Sequence, residues 1–256
     1  MNRKLSIIIA TYNSEKTLSF ALDSLLSQRI SAFECVVIDG NSTDNTLDII
    51  KKFESKFLEK NIDFKWISEQ DKGIYDAWNK GLDLANGDWI SFLGSDDKYK
   101  EGALNKYAEI INNIKPNHKV DLVYSNVDYV SNSKLIRKLN GEWFWDKFKR
   151  YMCIAHVGSF HNKEYFKTYG YYNIDYKICG DYELLLRAKE DLSTLKLNFT
   201  TVEMEAGGVS NDLTNKAFKE TYHAKINTAK VPKYIAKWDF IVASFKHFLK
   251  SILGNK

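Results

Sequence analysis

Two aspartates stand side by side at Asp96 and Asp97, after the run Trp89-Ile90-Ser91-Phe92-Leu93 and the pair Gly94-Ser95. Adjacent carboxylates repel one another, and a hard cation bound between them relieves the repulsion. A solvated acidic turn at a strand end is the plain alternative. Asp39 closes a second apolar run, Phe33 to Ile38, and opens the polar segment Asp39-Gly40-Asn41-Ser42-Thr43-Asp44. A carboxylate there can meet a ligand, or brace its own turn through Asn41. Asp181 follows Gly180 at a helix start, where the backbone dipoles favour the ionised form that a proton acceptor needs. The same position suits a helix cap, and Glu183 is a second carboxylate two residues on. Asp71 and Lys72 lie in the polar loop Ser68 to Gly73, with Glu69 beside them. His156, in IAHVGSFH, is open to both a ligand role and a structural one. Asp76 and Asn79 read as the polar side of an amphipathic helix.

Such scattered groups need a scaffold that gathers loops at one edge. Leu5-Ser6-Ile7-Ile8-Ile9-Ala10 is nearly continuous in apolar residues, as a central parallel strand buried on both faces would be. Phe33 to Ile38, Phe64 to Ile67, Trp89 to Leu93 and Leu122-Val123-Tyr124 repeat the pattern. Between them apolar residues recur at helical spacing, as in Leu18, Ala21, Leu22, Leu25 and Leu26, or Ile74, Ala77, Trp78, Gly81, Leu82 and Ala85. Helices are also predicted around Leu47 to Phe57 and Ala103 to Ile114, and Asn86-Gly87 offers a left-handed stop for the helix that begins at Ile74. Alternating strands and helices predict an α/β fold with a mainly parallel sheet, whose carboxyl edge is where ligands bind. After Ser125 the regularity fades. Tyr129 to Leu139 reads as a hairpin turning at Ser131-Asn132-Ser133. Glu142 to Met152 reads as an aromatic, basic helix, Ala155 to Phe160 as extended chain and Asp181 to Lys189 as a short helix. Gly207-Gly208 marks a loop, and Lys216 onward is helical, broken at Val231-Pro232. No linker or internal repeat divides the chain, so one compact body is expected.

The 256 residues are 44% apolar and 27% charged, which excludes wholesale disorder. The net charge of +4 is unevenly spread: from Lys216 onward nine lysines face only Glu220 and Asp239, a net +7, leaving −3 for the rest. Three scattered cysteines without a CxxC pair point to a reducing compartment and to no structural zinc. The N-terminus carries no long apolar core of a signal peptide, and no run approaches the ~20 apolar residues of a spanning helix. A cytoplasmic protein is therefore expected.

Four stretches in order, SIIIATYNSEKTL, VVIDGNSTDNT, SEQDKGIYDAWNKGLDLANGDWISFLGSDD and GDYELLLR, resemble family-2 glycosyltransferases of the GT-A fold. The likeness runs from Ser6 to about Arg187 and is nearest to bacterial enzymes that build surface polysaccharide. Ala10 replaces a proline common in relatives, a change expected to be harmless because that proline only stiffens a strand exit. The resemblance implies a GT-A type, Rossmann-like sheet flanked by helices. Residues 1–126 would be the nucleotide-sugar-binding half, 127–215 the acceptor-side and catalytic-base half, and 216–256 a basic amphipathic helical tail. It implies inverting transfer from a nucleotide-diphosphate sugar, with UDP favoured, to a saccharide or undecaprenyl-type lipid-linked acceptor, in polysaccharide or O-antigen synthesis. The departing diphosphate must be neutralised. Asp97 is implied as the ligand of Mn²⁺ or Mg²⁺, with Asp96 nearer the ribose. Asp39 would accept a hydrogen bond from the base, Thr11 and Tyr12 would line the base pocket, and Asp71 and Lys72 would meet base, ribose or phosphate. Asp181 matches the base that takes the acceptor proton, with Glu183 as its rival. His156 matches a histidine near acceptor or diphosphate, and Gly207-Gly208-Val209-Ser210 a loop over the diphosphate or a plain surface turn.

The C-terminal stretch places Tyr234, Ile235, Trp238, Ile241, Val242, Phe245, Phe248, Leu249 and Ile252 on one stripe flanked by Lys233, Lys237, Lys246 and Lys250. Such a segment can lie on the inner face of the cytoplasmic membrane, or cover the domain or a partner subunit. Oligomeric state is left open. A dinucleotide-binding enzyme is disfavoured because no GxGxxG follows a strand. A sugar nucleotidyltransferase is disfavoured for want of a glycine-rich N-terminal phosphate loop with its arginine. An inactive scaffold is disfavoured by the intact aspartates, and nucleic-acid binding by the −3 charge of the first 215 residues.

Overall fold

The computed structural model describes residues 4–30, 32–207 and 214–253, with backbone alone at 214 and 250–253. Its strands are β1 (Leu5–Thr11), β2 (Phe33–Asp39), β3 (Asp63–Ser68), β4 (Trp89–Gly94), β5 (Lys98–Tyr99), β6 (Leu122–Ser131), β7 (Lys134–Leu139), β8 (Phe160–Asn162) and β9 (Thr194–Glu205). The helices are α1 (Leu18–Leu26), α2 (Thr46–Glu59), α3 (Ile74–Leu84), α4 (Ala103–Asn112), α5 (Trp145–Phe148), α6 (Lys163–Tyr169), α7 (Gly180–Leu186), α8 (Thr214–Asn227) and α9 (Lys233–Leu253). The strands form one sheet in the order β3-β2-β1-β4-β8-β6-β9-β5, with β7 paired to β6. β3, β2, β1 and β4 are parallel neighbours, and β8 runs antiparallel between β4 and β6.

The alternation of side chains along β1 explains the layers. Ile7 and Ile9 join α1, α2 and α4 in one fully buried core, while Ile8 joins α3, α6 and α7 in the other. Burial of each such side chain contributes roughly 1.5–3 kcal/mol. Helix α3 lies directly on β1, since a Cβ added to Gly81 would come within 2.4 Å of Ile8 Cγ2. Both cores take residues from both halves of the chain, so the body is continuous.

Four local expectations need correction. The end of α3 is not a left-handed stop, because Ala85 is extended and the amides of Asn86 and Gly87 donate to buried Glu34 Oε1 at 2.5 and 3.1 Å. Gly87 is needed there for closeness, since a Cβ would lie 2.8 Å from the Ser6 amide nitrogen. Of the segment Glu142 to Met152 only Trp145–Phe148 is helical. Residues 155–159 form a turn, and extended chain begins at Phe160. The strand beginning at Leu122 continues to Ser131 and turns through Asn132 and Ser133, both at positive φ, into β7. That is the backbone of a two-residue hairpin turn.

Candidate active site

The strand register places four parallel strand ends side by side. Thr11 pairs with Asp39, Asp39 with Ser68, and Ala10 with Gly94. Gly40 is a meeting point on this edge: a Cβ there would come 2.6 Å from Asp71 Oδ2 and 3.4 Å from the Tyr12 ring. Asp71 is fixed by the Gly73 amide, which donates to its Oδ1 at 2.8 Å, and Tyr12 is 62% exposed. Thr11 Oγ1 is buried and without a hydrogen-bond partner among the described residues. Lys72 is exposed; its carbonyl accepts from Lys177 Nζ at 2.7 Å.

Asp39 is held within its own turn and strand edge. It is fully buried. Its Oδ1 accepts from Ser42 Oγ, and its Oδ2 from the Ser42 amide at 2.9 Å and Ser68 Oγ at 2.7 Å. The carboxylate thus braces its own turn, through Ser42 rather than Asn41, and ties β2 to β3.

Asp96 and Asp97 straddle Gly94. A Cβ on that glycine would meet Asp97 Oδ2 at 2.6 Å and Asp96 Oδ1 at 2.8 Å, so a side chain there would displace the carboxylates from these positions. Asp97 is buried, and its Oδ1 accepts from the Glu205 amide at 3.0 Å. Burial, reinforced by the neighbouring Asp96 charge, pushes the Asp97 carboxyl up to about 7. Burial, with Glu205 adding repulsion, also raises Asp96. Paired, desolvated carboxylates that resist ionisation are a donor set a divalent cation would satisfy. Among the described residues no third ligating side chain completes a cage, which suits a metal that takes its remaining ligands from water and substrate phosphates. Ser14 Oγ and Ser95 Oγ, 3.0 Å apart, join the loops leaving β1 and β4.

Asp181 lies across the start of α3. It sits in the first turn of α7, whose cap position is Cys179, so its carboxylate is not the helix cap. Oδ1 accepts from the Tyr182 amide at 2.8 Å, and Tyr75 Oη lies 3.4 Å away. Burial lifts its carboxyl to about 6, against the lowering effect of those bonds. Gly180 lies flat against the Tyr75 ring, where a Cβ would approach to 2.7 Å. The Glu220 carboxylate of α8 receives the backbone amides of Lys177, Ile178 and Cys179. Lys177 Nζ in turn donates to the Lys72 and Ile174 carbonyls. Hence α8 holds the α7 entrance, and Lys177 holds that entrance against the Asp71–Gly73 loop.

Glu183 and His156 are both buried among side-chain partners. Glu183 is buried, paired with Arg187 at 2.6 Å and bonded by Thr228 Oγ1 at 2.8 Å. Its oxygens are occupied by these structural partners. Glu183→Gln is expected to cost about 3–5 kcal/mol of stability, the usual cost of breaking a buried pair, seen as a lowered Tm, while the folded fraction binds nucleotide as the parent does. An unchanged Tm would show that the pair is not structural. His156 is buried between Trp78 and Phe92, with ring centroids 5.1 and 5.5 Å away, and its Nε2 meets Tyr172 Oη at 3.0 Å. Burial holds it neutral, well below its ordinary range. Of the segment Gly207 to Ser210 only Gly207 is among the described residues. Glu205, Tyr75, Lys177 and Glu220 were not singled out as site residues from sequence; each acts across the chain through a backbone group or a single contact, which leaves no motif.

The sequence model for glycosyl transferase family 2 matches residues 6–171. A PGL/p-HBAD biosynthesis glycosyltransferase of Mycobacterium bovis (strain BCG / Pasteur 1173P2) is 36% identical over 223 residues, covering 83% of this chain and 81% of the relative. The putative teichuronic acid biosynthesis glycosyltransferase TuaG of Bacillus subtilis is 33% identical over 107 residues, 42% of this chain and 41% of that protein. Among solved structures, S. aureus TarS 1-349 in complex with UDP-GlcNAc superposes with a TM-score of 0.68 at 21% identity, over 96% of this chain and 72% of that one. The mannosyltransferase PcManGT from Pyrobaculum calidifontis, in complex with GDP-Man and Mn²⁺, also gives 0.68, at 15% identity over 98% and 76%. At those identities the likeness is one of fold, the GT-A type.

Proposed function

The chain belongs to glycosyl transferase family 2, and from that premise we propose that this glycosyltransferase inverts the anomeric centre as it moves a sugar from a UDP-sugar to a saccharide acceptor of a bacterial cell-surface glycan. The observation that carries the reading is the Asp96–Asp97 pair packed around Gly94, with Asp97 buried and Asp96 half-buried, on the same sheet edge as the Tyr12–Gly40–Asp71 surface. Tyr12, Thr11 and Asp71 bind the nucleoside, with exposed Lys72 beside them. A divalent cation, Mn²⁺ or Mg²⁺, held by Asp97 with Asp96 towards the ribose, would neutralise charge on the departing diphosphate. The acceptor oxygen attacks the anomeric carbon, the bond from that carbon to the diphosphate breaks, and Asp181 takes the hydroxyl proton. The names of the mycobacterial and Bacillus relatives support a surface glycan, and the UDP-GlcNAc complex of TarS supports the UDP donor.

The acceptor is lipid-linked in this reading, of undecaprenyl type, and the protein works at the inner face of the cytoplasmic membrane. Support comes from α9. Ala236 is buried and Ile235 packs on the core, but Tyr234, Trp238, Ile241, Phe245 and Phe248 remain exposed on a helix rich in lysine. Among the described residues no helix is long and apolar enough to cross a membrane. A thermal-shift comparison of UDP-, GDP- and dTDP-sugars, with Mn²⁺ and with a chelator, tests the donor. A UDP-sugar with Mn²⁺ should raise Tm most, by an amount that grows with concentration over Kd. A larger rise with a GDP- or dTDP-sugar would contradict the donor assignment.

A further inference from the structure

On the flank of the molecule, where α5 meets the connection from α8 to α9, lies a cleft of about 330 Å³ that plays no part in the chemistry above. Its lining is apolar in part, from Val231, Pro232, Ile235 and Trp145. The rest is mainly cationic, Lys149, Arg150, Lys189 and Lys230 against the single acid Glu190. Two of these cations are committed elsewhere, Arg150 to Asp239 and Lys149 to Asp146 at 2.5 Å. Lys189 and Lys230 make no side-chain hydrogen bond or ion pair among the described residues.

The backbone at these two lysines is unusual. Lys189 has φ 51° and Lys230 φ 56°, the left-handed region that costs a side-chain-bearing residue roughly 1–2 kcal/mol relative to glycine. Two unpaired lysines held in that conformation, from segments 41 residues apart, face one cleft. Strain of this kind concentrates at ligand clamps. An ammonium pair in a cleft with a partly apolar, aromatic lining suits a ligand with an anionic head and an apolar body.

The surroundings say which such ligand. The exposed side chains Tyr234 and Trp238 of α9 begin next to the cleft-lining Pro232 and Ile235, and Phe144 and Tyr151 are exposed on either side of α5. Exposed aromatic rings in segments rich in lysine suit a bilayer interface. We propose that the cleft receives the phosphate of an anionic phospholipid headgroup, Lys189 and Lys230 binding the phosphate while the aromatic residues enter the interface. This rests on the reading that α9 lies on the membrane, and adds to it a built headgroup site that orients the enzyme.

The test uses the full chain with phosphatidylcholine vesicles, with or without added phosphatidylglycerol. Lys189→Gly with Lys230→Gly removes both cations and leaves a residue at ease in the left-handed backbone, so the variant should fold. It is expected to bind phosphatidylglycerol vesicles about 10- to 30-fold more weakly than the parent, the effect of two lysines at an anionic surface, with the same small affinity for neutral vesicles. Trp238→Ser reports the α9 contact separately, by lowering binding to both vesicle types. If Trp238→Ser weakens binding and the double glycine variant does not, the headgroup site is overturned and the membrane contact stands. If the parent ignores vesicles, both fall. Soluble glycerol 3-phosphate raising the parent's Tm but not the variant's, without any vesicle preference, would assign the cleft to a free phosphate instead and overturn the lipid source.

Discussion

Replacing Asp97 with asparagine is expected to lower turnover on the order of 10³-fold or more, the several kcal/mol that a Lewis acid gives a departing diphosphate. The same change should leave the fold intact and, in metal-free protein, make it more stable at neutral pH. The sign follows from burial. In the folded chain the Asp97 carboxyl is raised from 3.8 to about 7. At low pH the group is protonated in both states and costs nothing. As pH rises from the ordinary value towards 7, the unfolded chain releases the proton and the folded chain does not, so stability falls. Above 7 the full cost is present, and asparagine removes it. Melting curves from pH 4 to 8 should therefore fall more steeply for the parent than for Asp97→Asn. Parallel curves would mean that the Asp97 environment is not as described.

Asp181→Asn should lower kcat by about 10²–10⁴-fold, the contribution of a positioned base, with donor affinity unchanged. In the parent, turnover should rise with pH through about 6, where burial places the carboxyl, because only the ionised form accepts a proton. That limb should vanish in the variant. Asparagine can still accept from the Tyr182 amide, so the α7 entrance held by Glu220 should survive. A fully active Asp181→Asn, or one that retains the pH limb, would remove Asp181 from the mechanism.

Much of this was legible in the sequence. Strands β1, β2 and β4 read clearly because both faces are buried, which forces unbroken apolar runs. β9 was missed although Leu195, Leu197 and Phe199 alternate with Lys196, Asn198 and Thr200 at the period of a half-buried strand; its parallel partner β6 lies far back in the chain. The site divides the same way. Asp96 and Asp97 announce themselves at a strand end, but the Glu205 amide that fixes Asp97 is 108 residues away and acts through backbone. Glu220 looked like one acid among many lysines, and only the fold reveals three amides converging on it. The Ser42 and Ser68 bonds to Asp39 left no mark in the sequence, since Ser68 donates from the neighbouring strand. The ring stack around His156 carries no sign in the sequence either.

The central claim is that Asp97, with Asp96 towards the ribose, holds a divalent cation against the donor diphosphate. Calorimetric titration of UDP into parent and Asp97→Asn protein, with Mn²⁺ and with a chelator, tests it most directly. The parent should bind UDP tightly only with Mn²⁺, and Asp97→Asn should bind with one and the same weak affinity in both conditions. An equal gain from Mn²⁺ in the two proteins would contradict the account.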